Sequence, residues 1–180
     1  FAALIKFIRM NIFTIKLGSI TNGKNLFSYV IKDQFFEEFE FTEVKYADIS
    51  VKVLINKDSE KLSLNLIISG QLNQIPCDIC TDNISVNIMG ETNIIIKKTD
   101  NDLISTDEIL YIKSSENKLN IKQLIFESII LNVPKIRKHP LDTNGKITCN
   151  KEMVDLVKKY TQVTKKASDP RWDALKNLIK

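Results

Sequence analysis

Along the first two thirds of the chain, apolar and polar residues alternate in short runs; over the last third they recur every three or four positions. IFTIKL (Ile12 to Leu17) sets Ile12, Thr14 and Lys16 against Phe13, Ile15 and Leu17, the period of a half-buried strand. ADISVKVLIN and KLSLNLIISGQL form a hairpin pair joined by the polar connector KDSE. NISVNIMGETNIIIKK reads as a strand pair or one bent strand with Gly90 at a bulge or turn, and ILYIK (Ile109 to Lys113) as a further strand. Between them, DQFFEEFE predicts a short helix with Asp33 as N-cap and Phe35, Phe36 and Phe39 on one side.

The period then changes. NIKQLIFESIIL places Ile121, Leu124, Ile125, Ser128 and Ile129 on one helical face; Asn120 with Gln123 resembles a capping box, and Pro134 stops the helix. PKIRKHPLDTNGKITCN is a basic loop with turn signals at Asp142-Thr143-Asn144-Gly145. KEMVDLVKKYTQ is a helix with Met153, Leu156, Val157 and Tyr160 on one face. DPRWDALKNLIK is a last helix, with Asp169 as cap, Pro170 at the first helical position, and Trp172, Leu175, Leu178 and Ile179 sharing a face. So short a helix is marginal alone, so Trp172 and Leu175 must dock, either on the protein's own sheet or on a partner. The expected fold is α+β: an antiparallel, barrel-like sheet with C-terminal helices packed against it. Residues 1–9 read as an upstream extension or fragment edge before Met10, residues 10–134 as a β-rich core, and residues 135–180 as a basic loop with C-terminal helices.

Composition adds little until charge is divided along the chain. The 180 residues are ordinary for a globular domain, and the run Phe1 to Ile8 is too short for a membrane span. The odd cysteine count, three, argues against a secreted disulfide framework and points to the reducing cytoplasm, with no membrane partner. From Lys135 onward, twelve Lys and Arg face five Asp and Glu, a net of +7, leaving −3 on the preceding residues within a total of +4. That asymmetry suits a phosphate-rich partner; lysine is also abundant throughout, and solvated lysine faces are common. The basic residues that would contact such a partner are Lys135, Arg137, Lys138, Lys158, Lys159, Lys165, Lys166 and Arg171.

The chemistry-bearing residues are few. PCDIC places Cys77 and Cys80 two residues apart, and His139 and Cys149 complete the chain's Cys and His. Three thiolates and an imidazole would make a closed tetrahedral structural zinc site. The first pair has knuckle spacing; nine residues separate the second pair, against the usual two to five. Two other readings stand beside zinc: a metal-free pair packed at a sheet edge, and a redox couple, which usually sits at a strand-to-helix turn, whereas Cys80 runs into another strand. One histidine, no nucleophile elbow, five glycines without a phosphate loop, and Glu37, Glu38 and Glu40 on an amphipathic segment argue against an enzyme. RNP-type aromatic strands are missing too, so any RNA contact would come from basic side chains.

Three stretches together carry a resemblance: SGQLNQIPCDIC, IFESIILNVP and the ending DPRWDALKNL. The chain resembles, from about Met10 to Lys180, the YceD-like large ribosomal RNA subunit accumulation proteins. Many relatives carry a second cysteine cluster after the leucine–proline element; here KHPLDTNGKITC, with His139 and Cys149, is similar to the version common in the Bacteroidetes-type branch. The resemblance implies a non-enzymatic ribosome biogenesis factor supporting 23S rRNA synthesis, processing or accumulation, partnered by ribosomal RNA or a pre-ribosomal particle and carrying no cofactor or one structural zinc ion. The alternative is a protein-interaction adaptor whose C-terminal helix docks on a ribosomal protein or a processing nuclease.

Overall fold

The structure, a computed structural model, describes residues 12–40, 42–59 and 61–161. The expectations for residues 1–9, Lys165, Lys166, Arg171, Trp172 and Leu175 lie outside these. In chain order the strands are β1 (Thr14–Lys16), β2 (Gly23–Lys32), β3 (Tyr46–Asp58), β4 (Lys61–Pro76), β5 (Asn83–Thr99), β6 (Ile109–Lys113) and β7 (Lys118–Asn120), followed by helices α1 (Lys122–Leu131) and α2 (Lys151–Thr161). The chain divides into two compact units, one reaching to Ile75 and resuming over Asn83–Arg137, the other made of Pro76–Asp82 and the chain from Lys138 on. The CxxC therefore groups with the basic C-terminal stretch rather than with the strands on either side of it.

The first unit is built on a five-stranded sheet in the order β2-β3-β4-β5-β6, with β1 and β7 forming a separate two-stranded ladder. β3 and β4 are the expected antiparallel hairpin, in register from Tyr46↔Asn73 to Asp58↔Lys61. Their alternation is strict: Ile49, Val51, Val53 and Ile55 point inward with Leu64, Leu66, Ile68 and Leu72, each at most 1% exposed. Each such side chain stabilises by about 1.5–3 kcal/mol when fully buried. β5 is a single long strand, and its side chains hydrogen-bond across to β4 through Asn65–Asn93, Gln71–Asn87 and Asn73–Ser85.

The α+β class holds, but the sheet does not close into a barrel. β6 runs parallel to β5, pairing only Ile95 to Thr99 with Ile109 to Lys113. Among the described residues β2 and β6 stand at the two ends of the strand order and do not pair with each other, so they are the sheet's edges. β2 itself occupies a stretch with apolar residues on both faces, Phe27 and Tyr29 on one and exposed Leu26 and Val30 on the other, which hides its alternation.

α1 lies against β5 and buries Ile125, Ser128 and Ile129. No side chain caps its N-cap residue, Ile121; Asn120 Oδ1 instead accepts the Lys122 N–H at 2.9 Å, and Gln123 donates to Glu127, so the expected capping box does not form. The segment Asp33–Glu38 is a 3-10 helix rather than an α-helix. Asp33 does not cap it, because its carboxylate accepts the Ala47 N–H of β3 at 2.9 Å. Phe35 and Phe36 of that segment are buried, Phe39 stacks on Phe126 of α1 at 3.8 Å between centroids, and Glu38 pairs with Lys122.

Candidate metal centre

The second unit is organised around a turn and a small hairpin. Pro76–Asp82 forms a tight loop in which Cys77 N–H donates to Asp82 O and Thr81 N–H to Cys77 O, both at 2.9 Å. Ile79 N–H points at Cys77 Sγ, 3.5 Å away. Thr81 is left-handed, with φ 61°, a conformation a β-branched residue rarely adopts, at a cost of about 1–3 kcal/mol. The turn closed by the Thr81 N–H to Cys77 O hydrogen bond is what sets Cys80 beside Cys77.

The nine residues between His139 and Cys149 explain why an irregular spacing still brings the pair together. Leu141 and Ile147 form an antiparallel bridge. Asp142 Oδ1 accepts the N–H groups of Asn144 at 2.8 Å and Lys146 at 2.7 Å, and Gly145 takes the positive φ of 74° that the turn requires. Thr148 Oγ1 closes the hairpin by donating to Pro140 O at 2.8 Å. His139 and Cys149 thus flank the open end of a closed hairpin and are neighbours in space. Asn150 follows at once and starts α2, its Oδ1 accepting the Glu152 N–H at 2.9 Å.

The result is one cluster. One donor atom from each of Cys77, Cys80, His139 and Cys149 lies within 4.8 Å of every other. Cys77 Sγ is 3.7 Å from Cys149 Sγ, and His139 Nδ1 is 3.4 Å from Cys80 Sγ and 3.3 Å from Cys149 Sγ. A tetrahedral zinc with sulfur bonds of about 2.3 Å has sulfur–sulfur edges of about 3.8 Å, so these separations fit the ligand shell of such an ion. The three cysteines are buried free thiols and His139 is half-buried. Burial pushes the Cys77 thiol up, but the backbone N–H groups of Cys80, Ile79 and His139 outweigh it and bring it down to about 6. Burial raises Cys80 to about 11. One thiolate held ready beside one thiol, with an imidazole between sulfurs, is a soft donor set suited to zinc. Cys77 and Cys80 also lie within 4.8 Å of each other, and each faces a donor from the hairpin as well, Cys149 for Cys77 and His139 for Cys80.

The basic residues divide between the units. Lys135 and Arg137 belong to the first; Lys138, Lys158 and Lys159 belong to the second, and all four lysines are exposed. Arg137 Nη1 donates to Glu43 Oε2 at 2.9 Å, so part of its guanidinium is engaged within the fold. Lys158 reaches Asp155 at 4.0 Å, a loose surface pair. Sequence reasoning missed the residues that set the site's shape, Thr81 and Asn150, although the Asp142-Thr143-Asn144-Gly145 turn signal was present.

Fold and site together define an α+β protein with a separate unit gathered round a Cys3His donor cluster. The chain belongs to the family described as large ribosomal RNA subunit accumulation protein YceD, which matches residues 64–179, from β4 onward, and so includes all four donors. No curated protein and no solved structure matches. Membership carries a role in accumulation of the large ribosomal RNA subunit. No helix among the described residues is long and apolar enough to cross a membrane.

Proposed function

We propose that this protein is a non-enzymatic, cytoplasmic assembly factor that supports 23S rRNA processing or accumulation by contacting rRNA within the pre-ribosomal particle, and that Cys77, Cys80, His139 and Cys149 hold one structural zinc ion. The observation that carries the reading is the family match, which spans both the donor cluster and the basic C-terminal third. The exposed Lys135, Lys138, Lys158 and Lys159 supply positive charge of the kind that positions a protein on phosphate without reading sequence. Arg137 and the further basic residues Lys165, Lys166 and Arg171 extend the same role. Zinc's part is structural: four protein donors leave no open position for substrate.

Crosslinking in cells, followed by identification of RNA and protein partners, tests the reading. Large-subunit rRNA recovered at defined segments is the expected result. Recovery of protein alone would overturn direct RNA contact and favour a second reading, a protein adaptor on a ribosomal protein or processing nuclease. That reading has its own support in α2, where Leu156 is 46%, Val157 39% and Tyr160 78% exposed on a helix that buries nothing. The sequence reading of Trp172 and Leu175 as docking residues belongs to the same alternative.

A further inference from the structure

The two units differ in what holds them. The first buries full rows of Ile, Leu and Val from β3, β4 and α1. In the second, the buried residues among those described are Cys77, Cys80 and Cys149, and nothing else. α2 contributes no buried side chain. An isolated helix of 11 residues is marginal in water. The described residues of this unit bury too little apolar area to offset the entropy of ordering their chain, and a structural metal is one of the few ways to make up the difference.

We infer that the Cys3His cluster is the folding core of the second unit, so that metal occupancy decides whether Pro76–Asp82 and the chain from Lys138 to Thr161 are ordered while the sheet unit folds without it. The inference rests on the zinc reading above and goes beyond it: a metal could bind a preformed pocket without any such coupling. Strain at Thr81 points the same way. A left-handed β-branched residue persists only when its surroundings over-determine it, and among the described residues of this unit the buried side chains that could hold the turn are the three cysteines. Because Lys138, Lys158 and Lys159 lie in this unit, metal loss would also dissolve the geometry of the surface proposed for RNA, which makes metal supply a control on the protein's binding.

Amide hydrogen exchange on the full chain, with metal content measured in parallel by elemental mass spectrometry, tests this. The metal-loaded protein should protect the amides of Cys77, Thr81, Gly145, Lys146 and Val154. Stripping zinc with a chelator under reducing conditions should abolish that protection, leave the β3 and β4 amides protected, and be reversed by adding zinc. The variant Cys80→Ser should reproduce the stripped pattern, with β3 and β4 reporting that the sheet unit remains folded. Unchanged protection in the second unit after confirmed metal loss would overturn the inference while leaving zinc binding intact. A protein that neither contains nor takes up zinc would overturn the zinc reading itself.

Discussion

The sulfurs of Cys77 and Cys149, 72 residues apart in the chain, stand 3.7 Å from each other. A disulfide would set them at about 2.05 Å, and the observed distance instead matches one edge of a metal's ligand shell. Replacing Cys149 with Ser should therefore lower bound zinc from one equivalent per chain to near zero, as read by elemental mass spectrometry of the purified protein. His139→Ala should do the same. Full zinc content in both variants would place the metal elsewhere.

Proton competition gives the site a direction with pH. Cys77, lowered to about 6, is already a thiolate at neutral pH, whereas Cys80, raised to about 11, must release its proton to the solvent when metal binds. Zinc affinity should accordingly fall as pH drops from 8 toward 6, by at least about tenfold per pH unit for the one proton displaced from Cys80. Below about 6 the loss should steepen, because Cys77 then takes up a second proton. Competition titrations against a chromophoric chelator across this range measure the slope; a flat profile would mean that Cys80 is not a ligand.

For RNA, charge and fold make separable demands on neighbouring side chains. Lys135 and Lys138 are exposed, whereas the Arg137 side chain is 22% exposed and paired with Glu43. Changing each lysine to Gln should weaken RNA binding and flatten its salt dependence, by about 0.7–0.9 in the log–log slope for every phosphate no longer neutralised. Arg137→Gln should alter the slope less and stability more, because it removes an ion pair within the first unit. Equal slope changes at all three positions would show that the Glu43 pair opens when RNA binds.

Periodicity made the β3–β4 hairpin, β6 and both described helices legible: the hairpin and α1 bury one face and leave the other in water, while α2 carries its apolar residues at helical spacing although none of them is buried. β2 was not, since Leu26 and Val30 put apolar side chains on its exposed face. The barrel expectation failed on connectivity, as no local pattern tells that β6 will join β5 in parallel. At the donor cluster the residue types were legible and their convergence was not. Spacing alone counted against His139 and Cys149, because it could not register that Asp142 and Gly145 fold the intervening residues back on themselves. The two-unit division was hidden for the same reason: Cys77 and Cys80 belong by sequence to a strand connection and by proximity to a segment some 60 residues later.

Helix α1 ends where β5 has no side chain, and this junction can be weighed. A Cβ at Gly90 would overlap the side-chain amide of Asn132. That amide has little freedom to move, because its Nδ2 donates to Ser128 O at 2.8 Å while the Asn132 N–H caps the helix on Ile129 O at 3.1 Å. Ser128, the buried hydroxyl of α1, lies 3.4 Å from Thr92 two residues along the strand. Gly90→Ala should thus cost about 1–3 kcal/mol by overpacking, reduced by the unfolded-state entropy that alanine removes, about 0.4–1 kcal/mol. Asn132→Ala should cost about 0.5–1.5 kcal/mol through its missing hydrogen bond. The two together should cost less than their sum, because the truncated Asn132 leaves room for the new methyl, and such coupling between touching residues runs to about 0.5–3 kcal/mol. Denaturant unfolding of the four proteins closes the cycle; strict additivity would mean that glycine is held at position 90 by something other than the end of α1.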